Sequence, residues 1–158
     1  MAMRTVRIMG DDVLKKVCKP VKEVTPKILE LIDDMYETMY ETRGVGLAAP
    51  QVGILKRIVV IDVMDGNPLT LINPEITYRS EETQTDDEGC LSLPGKCASV
   101  TRPMYVNCRA FDEEMNEFEI EAEGLLARCI CHELDHLDGI MYPERANEPV
   151  HDVESEEE

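Results

Sequence analysis

Cys129-Ile-Cys-His-Glu-Leu-Asp-His136 is the stretch from which both the fold and the chemistry of this chain can be predicted. Its last five residues have the form H-E-x-x-H, and on a helix the two histidines stand one turn apart on the same face. Both imidazoles can then reach one metal ion, while Glu133 between them can exchange a proton with metal-bound water. The alternative is a charged helix that happens to carry two histidines.

The flanking residues predict that this helix is buried. Gly124 opens it, the helix runs from Leu125 to about Leu137, and Asp138-Gly139 closes it. Apolar side chains surround the motif: Leu125, Leu126, Cys129, Ile130 and Leu134. Cys131 points about 100° away from His132 and is interpreted as packing.

Length and composition restrict the class of protein. The 158 residues suit one domain, predicted over 1–148, followed by an acidic disordered tail over 149–158. No apolar run is long enough for a membrane span, and the first residues do not resemble a signal peptide, so we expect a cytoplasmic protein. The formal charge of −17 argues against an anionic membrane or nucleic acid as a direct partner.

The sequence before the motif helix predicts one further helix and several strands. Gly10–Leu14 is interpreted as a turn leading into an extended segment. Thr25-Pro26 predicts the start of an N-terminal helix that ends before Gly44, with an apolar face made by Ile28, Leu31, Ile32, Met35 and Met39. Strands are predicted at 57–63, around 69–72, at 75–80 after a break at Asn73-Pro74, and in a hairpin of 104–111 and 117–122. The predicted fold is α+β, with antiparallel or mixed sheets packed around the central C-terminal helix that carries H-E-x-x-H.

A third metal ligand has several candidates. Cys90 lies in a turn-rich stretch upstream, and two histidines plus one thiolate leave a fourth position for water. The six cysteines occur without a secretory signal, so thiols of this kind are more often buried, catalytic or metal-binding than paired. Downstream, Glu144, Glu148 and His151 remain possible ligands. Cys129 shares a helical face with the motif and is interpreted as a pocket wall, because three ligands on one helix rarely surround a metal.

The segment Gly44–Gly53 consists mostly of residues with small, apolar side chains. Its G-x-G is a weak signal for a phosphate-binding loop, and no Lys-Ser or Lys-Thr pair follows it, so we reject nucleotide binding. Glycines allow another backbone to approach closely, which favours a backbone edge presented to an extended peptide.

Three blocks of the chain resemble those of the peptide deformylases. They are Gly44-Val-Gly-Leu-Ala-Ala-Pro-Gln51, Glu88-Gly-Cys-Leu-Ser92 and His132-Glu-Leu-Asp-His136. The resemblance runs from about Val6 to Tyr142, and three linked motifs are more specific than any one of them. It implies removal of the N-formyl group from the initiator methionine of new bacterial or organellar polypeptides. We therefore expect formyl-methionyl nascent peptides as partners, with possible transient ribosome association.

The resemblance also implies roles for individual residues. The metal ligands would be Cys90, His132 and His136. Glu133 would be the general acid/base that takes a proton as metal-bound water attacks the formyl carbon. The remaining implied residues are Gln51 and the Leu91 backbone N–H as oxyanion donors, Gly46 for the substrate backbone, and Val45, Leu126 and Cys129 around the methionine pocket. The cofactor would be one divalent transition metal ion, Fe²⁺ in the cell, with Zn²⁺, Ni²⁺ or Co²⁺ acceptable in purified protein.

Some residues depart from the family pattern, and two other functions fit the motif. Asp12 stands where proline is common, Cys97 where a basic residue is frequent, and Arg128 near the methionine pocket where an apolar residue is frequent. Glu88 and Arg102 form either an ion pair behind the Cys90 loop or two exposed charges.

The rival functions are a metallopeptidase with a downstream carboxylate ligand and a non-catalytic metal-binding protein.

Overall fold

The fold combines two α-helices with two sheets within residues 3–153, the part of the chain that the computed structural model describes. The helices are α1 (Pro26–Glu41) and α2 (Gly124–Leu137). Short 3-10 helices occupy Asp12–Lys15, Ala49–Val52 and Tyr142–Glu144. The strands are β1 (Gly46–Ala48), β2 (Ile58–Ile61), β3 (Leu69–Arg79), β4 (Thr83–Cys90), β5 (Leu93–Pro103), β6 (Tyr105–Phe111), β7 (Glu117–Glu123) and β8 (His151–Asp152).

A five-stranded antiparallel sheet separates the two helices. Its strand order is β1-β2-β3-β6-β7. Alternate side chains of β2 point to opposite faces, so Val59 and Ile61 join the core around α2, whereas Ile58 and Val60 join the core around α1. All four residues of β2 are buried, because helices cover both faces of the sheet there.

The second sheet carries the Cys90 loop. Its order is β4-β5-β8, and β4 pairs with β5 in a long antiparallel hairpin that closes at Cys90 and Leu93. A two-residue turn, Leu91-Ser92, joins these two strands. The hairpin therefore presents Cys90 at its tip, next to α2.

The predicted break at Asn73-Pro74 is wrong, because β3 runs without interruption from Leu69 to Arg79. The pairing with β6 shifts register between Ile72 and Glu75, and Asn73 has a positive φ of 50°. Such a bulge accommodates a proline inside a strand. The Asn73 side chain is held there by hydrogen bonds with the backbone N–H and carbonyl of Val21, both 2.8 Å long.

Two predictions about the chain ends also differ from the structure. The extended segment expected after Gly10 is instead the 3-10 helix Asp12–Lys15, whose Val13 N–H is capped by the Asp11 carboxylate at 3.1 Å. In the tail predicted as disordered, His151–Asp152 pairs with β5 as strand β8. Residues 154–158 of that tail lie outside the described residues, and the division into a domain and a tail remains a prediction.

The mixed α+β class is confirmed, and both sheets are antiparallel. The helix α2 contains His132–His136 and packs against the larger sheet. Neither helix of the described residues is long and apolar enough to cross a membrane.

Candidate active site

Helix α2 brings both histidines of the motif to one buried position. His132 is 8% and His136 is 1% exposed, and their ring centroids lie 5.0 Å apart. The Sγ atom of Cys90 lies 3.3 Å from Nε2 of His136, and Cys90, His132 and His136 each offer a ligand atom within 4.8 Å of the others. The three predicted ligands therefore converge from two distant parts of the sequence.

The side chain of Gln51 joins the glycine-rich segment to the Cys90 loop. Its Oε1 accepts from the Ala48 backbone N–H at 2.9 Å, and its Nε2 donates to Ser92 Oγ at 3.1 Å. The same Nε2 lies 3.6 Å from Cys90 Sγ. Gln51 is only 1% exposed, so these contacts fix its amide beside the thiol.

Glu88 links the Cys90 hairpin to helix α2 through three positively charged or polar partners. Arg102 donates to both of its oxygens, at 2.8 and 2.9 Å, and Arg128 donates to Oε2 at 2.6 Å. His132 Nδ1 lies 2.9 Å from Oε1. Burial opposes ionisation of Glu88, but hydrogen bonds from Arg102 and His132 outweigh it and lower the pKa of its carboxyl to about 2.

This arrangement orients the ring of His132. An ionised Glu88 only accepts hydrogen bonds, so Nδ1 of His132 donates to Glu88 and Nε2 is the ring nitrogen on the side of Glu133, 3.9 Å from its Oε2. Metal-binding histidines are oriented in this way by a carboxylate on the other ring nitrogen. Of the two alternatives for Glu88 and Arg102, the buried ion pair is therefore confirmed.

The donor set fits a divalent transition metal. A thiol and two imidazoles are ligands that such ions accept, and three protein ligands leave a position open. Burial and the adjacent His132 lower the pKa of His136 well below the ordinary histidine value, which keeps its imidazole neutral, as metal binding requires. Nδ1 of His136 has no hydrogen-bond partner among residues 3–153.

Glu133 points into the same space and depends on a glycine opposite it. Its Oε2 lies 3.9 Å from His132 Nε2, and its Oε1 is buried without a hydrogen-bond partner in the described part of the chain. Burial raises the pKa of Glu133 to about 7, a value suited to a group that takes and returns a proton near neutral pH. A Cβ atom at Gly46 would lie 2.6 Å from Glu133 Oε2, so only glycine leaves room there.

A cavity of about 750 Å³ opens onto these groups. Most of the predicted site residues line it: Val45, Gly46, Gln51, Cys90, Leu91, Cys129, His132 and Glu133. Leu126 does not, because it packs against the core cluster beneath α2. Leu125 lines the cavity instead, since it lies one turn before Cys129 on the same helical face.

The residues that depart from the family pattern have identifiable positions. Arg128 lines the cavity, but its guanidinium turns away to Glu88 and donates to the Val100 carbonyl at 3.1 Å. No sequence pattern predicts this contact, because 40 residues separate the two partners. Cys97 contacts His151 at 3.7 Å.

The remaining ligand candidates lie elsewhere. Glu144 accepts from the Met141 N–H at 2.8 Å, and Glu148 and His151 form a separate group with Asp87. Cys131 packs in the core, as predicted. Among residues 3–153, neither a downstream carboxylate nor Cys129 joins the group of Cys90, His132 and His136.

Comparison with known proteins identifies the family. The sequence model of the polypeptide deformylase family matches residues 3–151. A peptide deformylase of Agathobacter rectalis is 66% identical over 157 residues, which cover 99% of this chain and 98% of that protein. The chain belongs to the polypeptide deformylase family.

Solved structures agree with this assignment. The crystal structure of peptide deformylase from Thermotoga maritima superposes with a TM-score of 0.90 at 41% identity, covering 92% of this chain and 99% of the other. The crystal structure of a peptide deformylase from Synechococcus elongatus in complex with actinonin superposes with a TM-score of 0.87 at 42% identity. The match covers 90% of this chain and 78% of the other. Peptide deformylases are metal-dependent hydrolases that remove the N-formyl group from nascent polypeptides, and this chain is such a hydrolase.

Proposed function

We propose that Cys90, His132 and His136 hold one divalent transition metal ion per chain, which is Fe²⁺ in the cell. The convergence of one thiol and two imidazoles, with the ring of His132 oriented by Glu88 through Nδ1, is the observation that carries this proposal. Zn²⁺, Ni²⁺ and Co²⁺ accept the same donors and would substitute in purified protein. When bound, the ion supplies the Lewis acidity that makes water a nucleophile at neutral pH.

Glu133 is the general base and then the general acid. Its carboxylate takes a proton from the attacking water as the oxygen adds to the formyl carbon, and it returns that proton to the nitrogen as the C–N bond breaks. The products are formate and a free amino terminus. The raised pKa of Glu133, caused by its burial, supports this double role.

Gln51 and Leu91 stabilise the oxyanion that forms on the formyl group. The Nε2 of Gln51 lies beside Cys90, and Leu91 directly follows Cys90 at the hairpin turn, so both donors border the same end of the cavity. Removing one such donor typically costs about 10²–10³ in turnover rate.

The substrate is a formyl-methionyl nascent peptide bound as an extended strand. Strand β1 lies at the edge of its sheet, with β2 on one side and no strand on the other within residues 3–153. An extended peptide can pair with such an edge at Gly46, while Val45, Leu125 and Cys129 border an apolar pocket for the methionine side chain.

The protein acts in the bacterial cytoplasm, where nascent chains emerge. Its relatives named above are bacterial proteins. The formal charge of −17 opposes direct binding to nucleic acid or to an anionic membrane surface. Contact with the ribosome is therefore transient and follows the emerging peptide.

Formate release tests the proposal directly. Protein purified without oxygen is analysed for metal and assayed with formyl-Met-Ala-Ser. We expect one metal per chain and formate release, both lost in Cys90→Ala and both retained in the matched control Cys97→Ala. Full metal retention by Cys90→Ala would overturn the ligand assignment.

A further inference from the structure

A second group of metal-binding side chains lies on the smaller sheet. Asp87, Glu148 and His151 each bring a ligand atom, and these atoms all lie within 4.8 Å of one another. Asp87 belongs to β4, His151 to β8, and Glu148 to the segment that precedes β8. The fold thus gathers the three from separate parts of the chain, outside the site of Cys90.

The strand register explains why they meet. Asp87 pairs with Ser99, and His151 pairs with Cys97, so both flank β5 on the face that residues 97 and 99 share. The Ser99 backbone N–H donates to Glu148 Oε2 at 3.1 Å and holds that carboxylate over the same face.

The imidazole of His151 faces the carboxylate of Glu148 through one ring nitrogen and the backbone through the other. Its Nε2 faces Glu148 Oε2 at 2.9 Å, while its Nδ1 lies 3.3 Å from the Asp152 carbonyl oxygen and 3.7 Å from Cys97 Sγ. Metal-binding histidines commonly donate one ring N–H to a carbonyl or similar acceptor and offer the other nitrogen to the ion. Here that other nitrogen is Nε2, which hydrogen-bonds Glu148 Oε2 and would give up its proton to bind an ion.

We propose that Asp87, Glu148 and His151 bind a second divalent cation, of the class that accepts both imidazole and carboxylate ligands, such as Zn²⁺. Two carboxylates and one imidazole are a ligand set for such ions, and the exposure of all three residues leaves room for water to complete the shell. A divalent ion would also neutralise the two carboxylates in a chain of formal charge −17.

The location gives the second ion a structural consequence. It would join β4 to β8 and so fix the C-terminal strand against the hairpin that carries Cys90. Asp87 also borders the substrate cavity, so the ion would lower the negative charge at the rim of the cavity.

The test counts two metals on the same protein. Enzyme loaded with nickel at the Cys90 site is dialysed against Zn²⁺ at about pH 8, where imidazole is largely neutral, and both metals are measured. We expect one nickel and one zinc per chain. His151→Gln and Glu148→Gln should keep nickel and bind zinc at least about tenfold more weakly.

Asp86→Asn is the matched control for Glu148→Gln, because it also removes one carboxylate charge from this sheet but lies outside the group. It should bind zinc as the unmodified chain does. Zinc binding by His151→Gln equal to that of the unmodified chain would overturn the proposal, as would zinc that merely replaces nickel. Zinc X-ray absorption should show nitrogen and oxygen neighbours, and sulfur among them would overturn the ligand assignment.

The two metal proposals fail separately in this experiment. Loss of nickel binding would count against the Cys90 site, whereas normal nickel with no zinc would count only against the group of Asp87, Glu148 and His151.

Discussion

Glu133 sits in a buried position where its carboxylate has one oxygen without a partner among the described residues. We expect Glu133→Ala to keep the metal, because Cys90, His132 and His136 remain, and to lose about 10²–10⁴ of the turnover rate with the proton carrier gone. Metal analysis and formate release measure the two effects.

Glu133→Gln is closer in shape to the unmodified side chain, and it should likewise keep the metal and lose turnover. A circular dichroism spectrum like that of the unmodified chain would establish that both variants fold. Formate release by Glu133→Ala at the unmodified rate would contradict the proposed role.

Gly46 affects the position of Glu133 because its lack of a side chain leaves room for the Glu133 carboxylate. In Gly46→Ala the new Cβ would lie 2.6 Å from Glu133 Oε2, so that either β1 or the carboxylate must move. We expect formate release to fall by more than about tenfold, because misplacing a catalytic group by about 1 Å can cost 10²-fold. The measurement is kcat with formyl-Met-Ala-Ser.

Gly66→Ala is the control for a glycine replacement as such. Its φ is +86° and no atom lies within 4 Å of a Cβ there, so it should lower stability and leave kcat unchanged. Equal turnover by Gly46→Ala and the unmodified chain would show that the space beside Glu133 is not needed.

Single residues differ in how far the sequence predicts them. The H-E-x-x-H spacing and the Cys90 block predict the group of ligands, since helical geometry fixes two of its members. The contact of Arg128 with Glu88 could not be predicted, because it depends on how the β4–β5 hairpin packs on α2. Leu126 stays a prediction for the methionine pocket, but Leu125 is the residue that lines the cavity, because neighbouring helix residues point about 100° apart and Leu126 faces the core.

At the level of elements, helix α2 and the β4–β5 hairpin are held together by buried charges. Arg102 and Arg128 are 5% and 6% exposed, and both donate to Glu88, which is 6% exposed. Arg102 also reaches Asp135 at 2.8 Å. The contact therefore fixes the strand that leads to Cys90 relative to the helix that carries His132.

Arg128→Met should destabilise the protein by about 3 kcal/mol, because removing one partner leaves buried charge poorly compensated. Urea denaturation measures the change in the free energy of unfolding. Arg128→Lys retains the charge without the planar fork and should cost less. A loss below about 0.5 kcal/mol in Arg128→Met, the range of ordinary surface substitutions, would contradict this role.

Elements were predictable where their apolar pattern is strong. The amphipathic face of α1, the β-branched run of β2 and the hairpin of β6 and β7 were all predicted and are present. Strand β4 has the sequence Thr-Gln-Thr-Asp-Asp-Glu-Gly-Cys, which lacks an apolar alternation, so its pairing with β5 was not predicted. Its one buried residue, Glu88, is charged and is stabilised only by partners elsewhere in the fold.

Across the whole molecule, the six cysteines differ in their access to solvent. Burial raises the pKa of Cys18 and Cys108 to about 11 and that of Cys129 to about 12. Because the thiolate is the reactive form, we expect these thiols and buried Cys131 to react slowly in the folded protein.

A thiol reagent at neutral pH should therefore modify two of the six thiols quickly in metal-free protein, the half-buried Cys90 and Cys97. Metal-loaded protein should lose one of these fast reactions, since Cys90 is then a ligand. Absorbance of the released chromophore counts them, and unfolding in guanidinium should expose all six. A third fast thiol in the folded, metal-free state would contradict the burial of the other four cysteines.

The distance along the chain between the proposed ligands has a consequence for the order of synthesis. Cys90 is made before His132 and His136, which belong to a later helix. A growing copy of this chain therefore cannot assemble the proposed metal site until His136 has been made and α2 has folded against the Cys90 hairpin. Until then, the formyl group of a growing copy can be removed only by another copy whose site is already assembled.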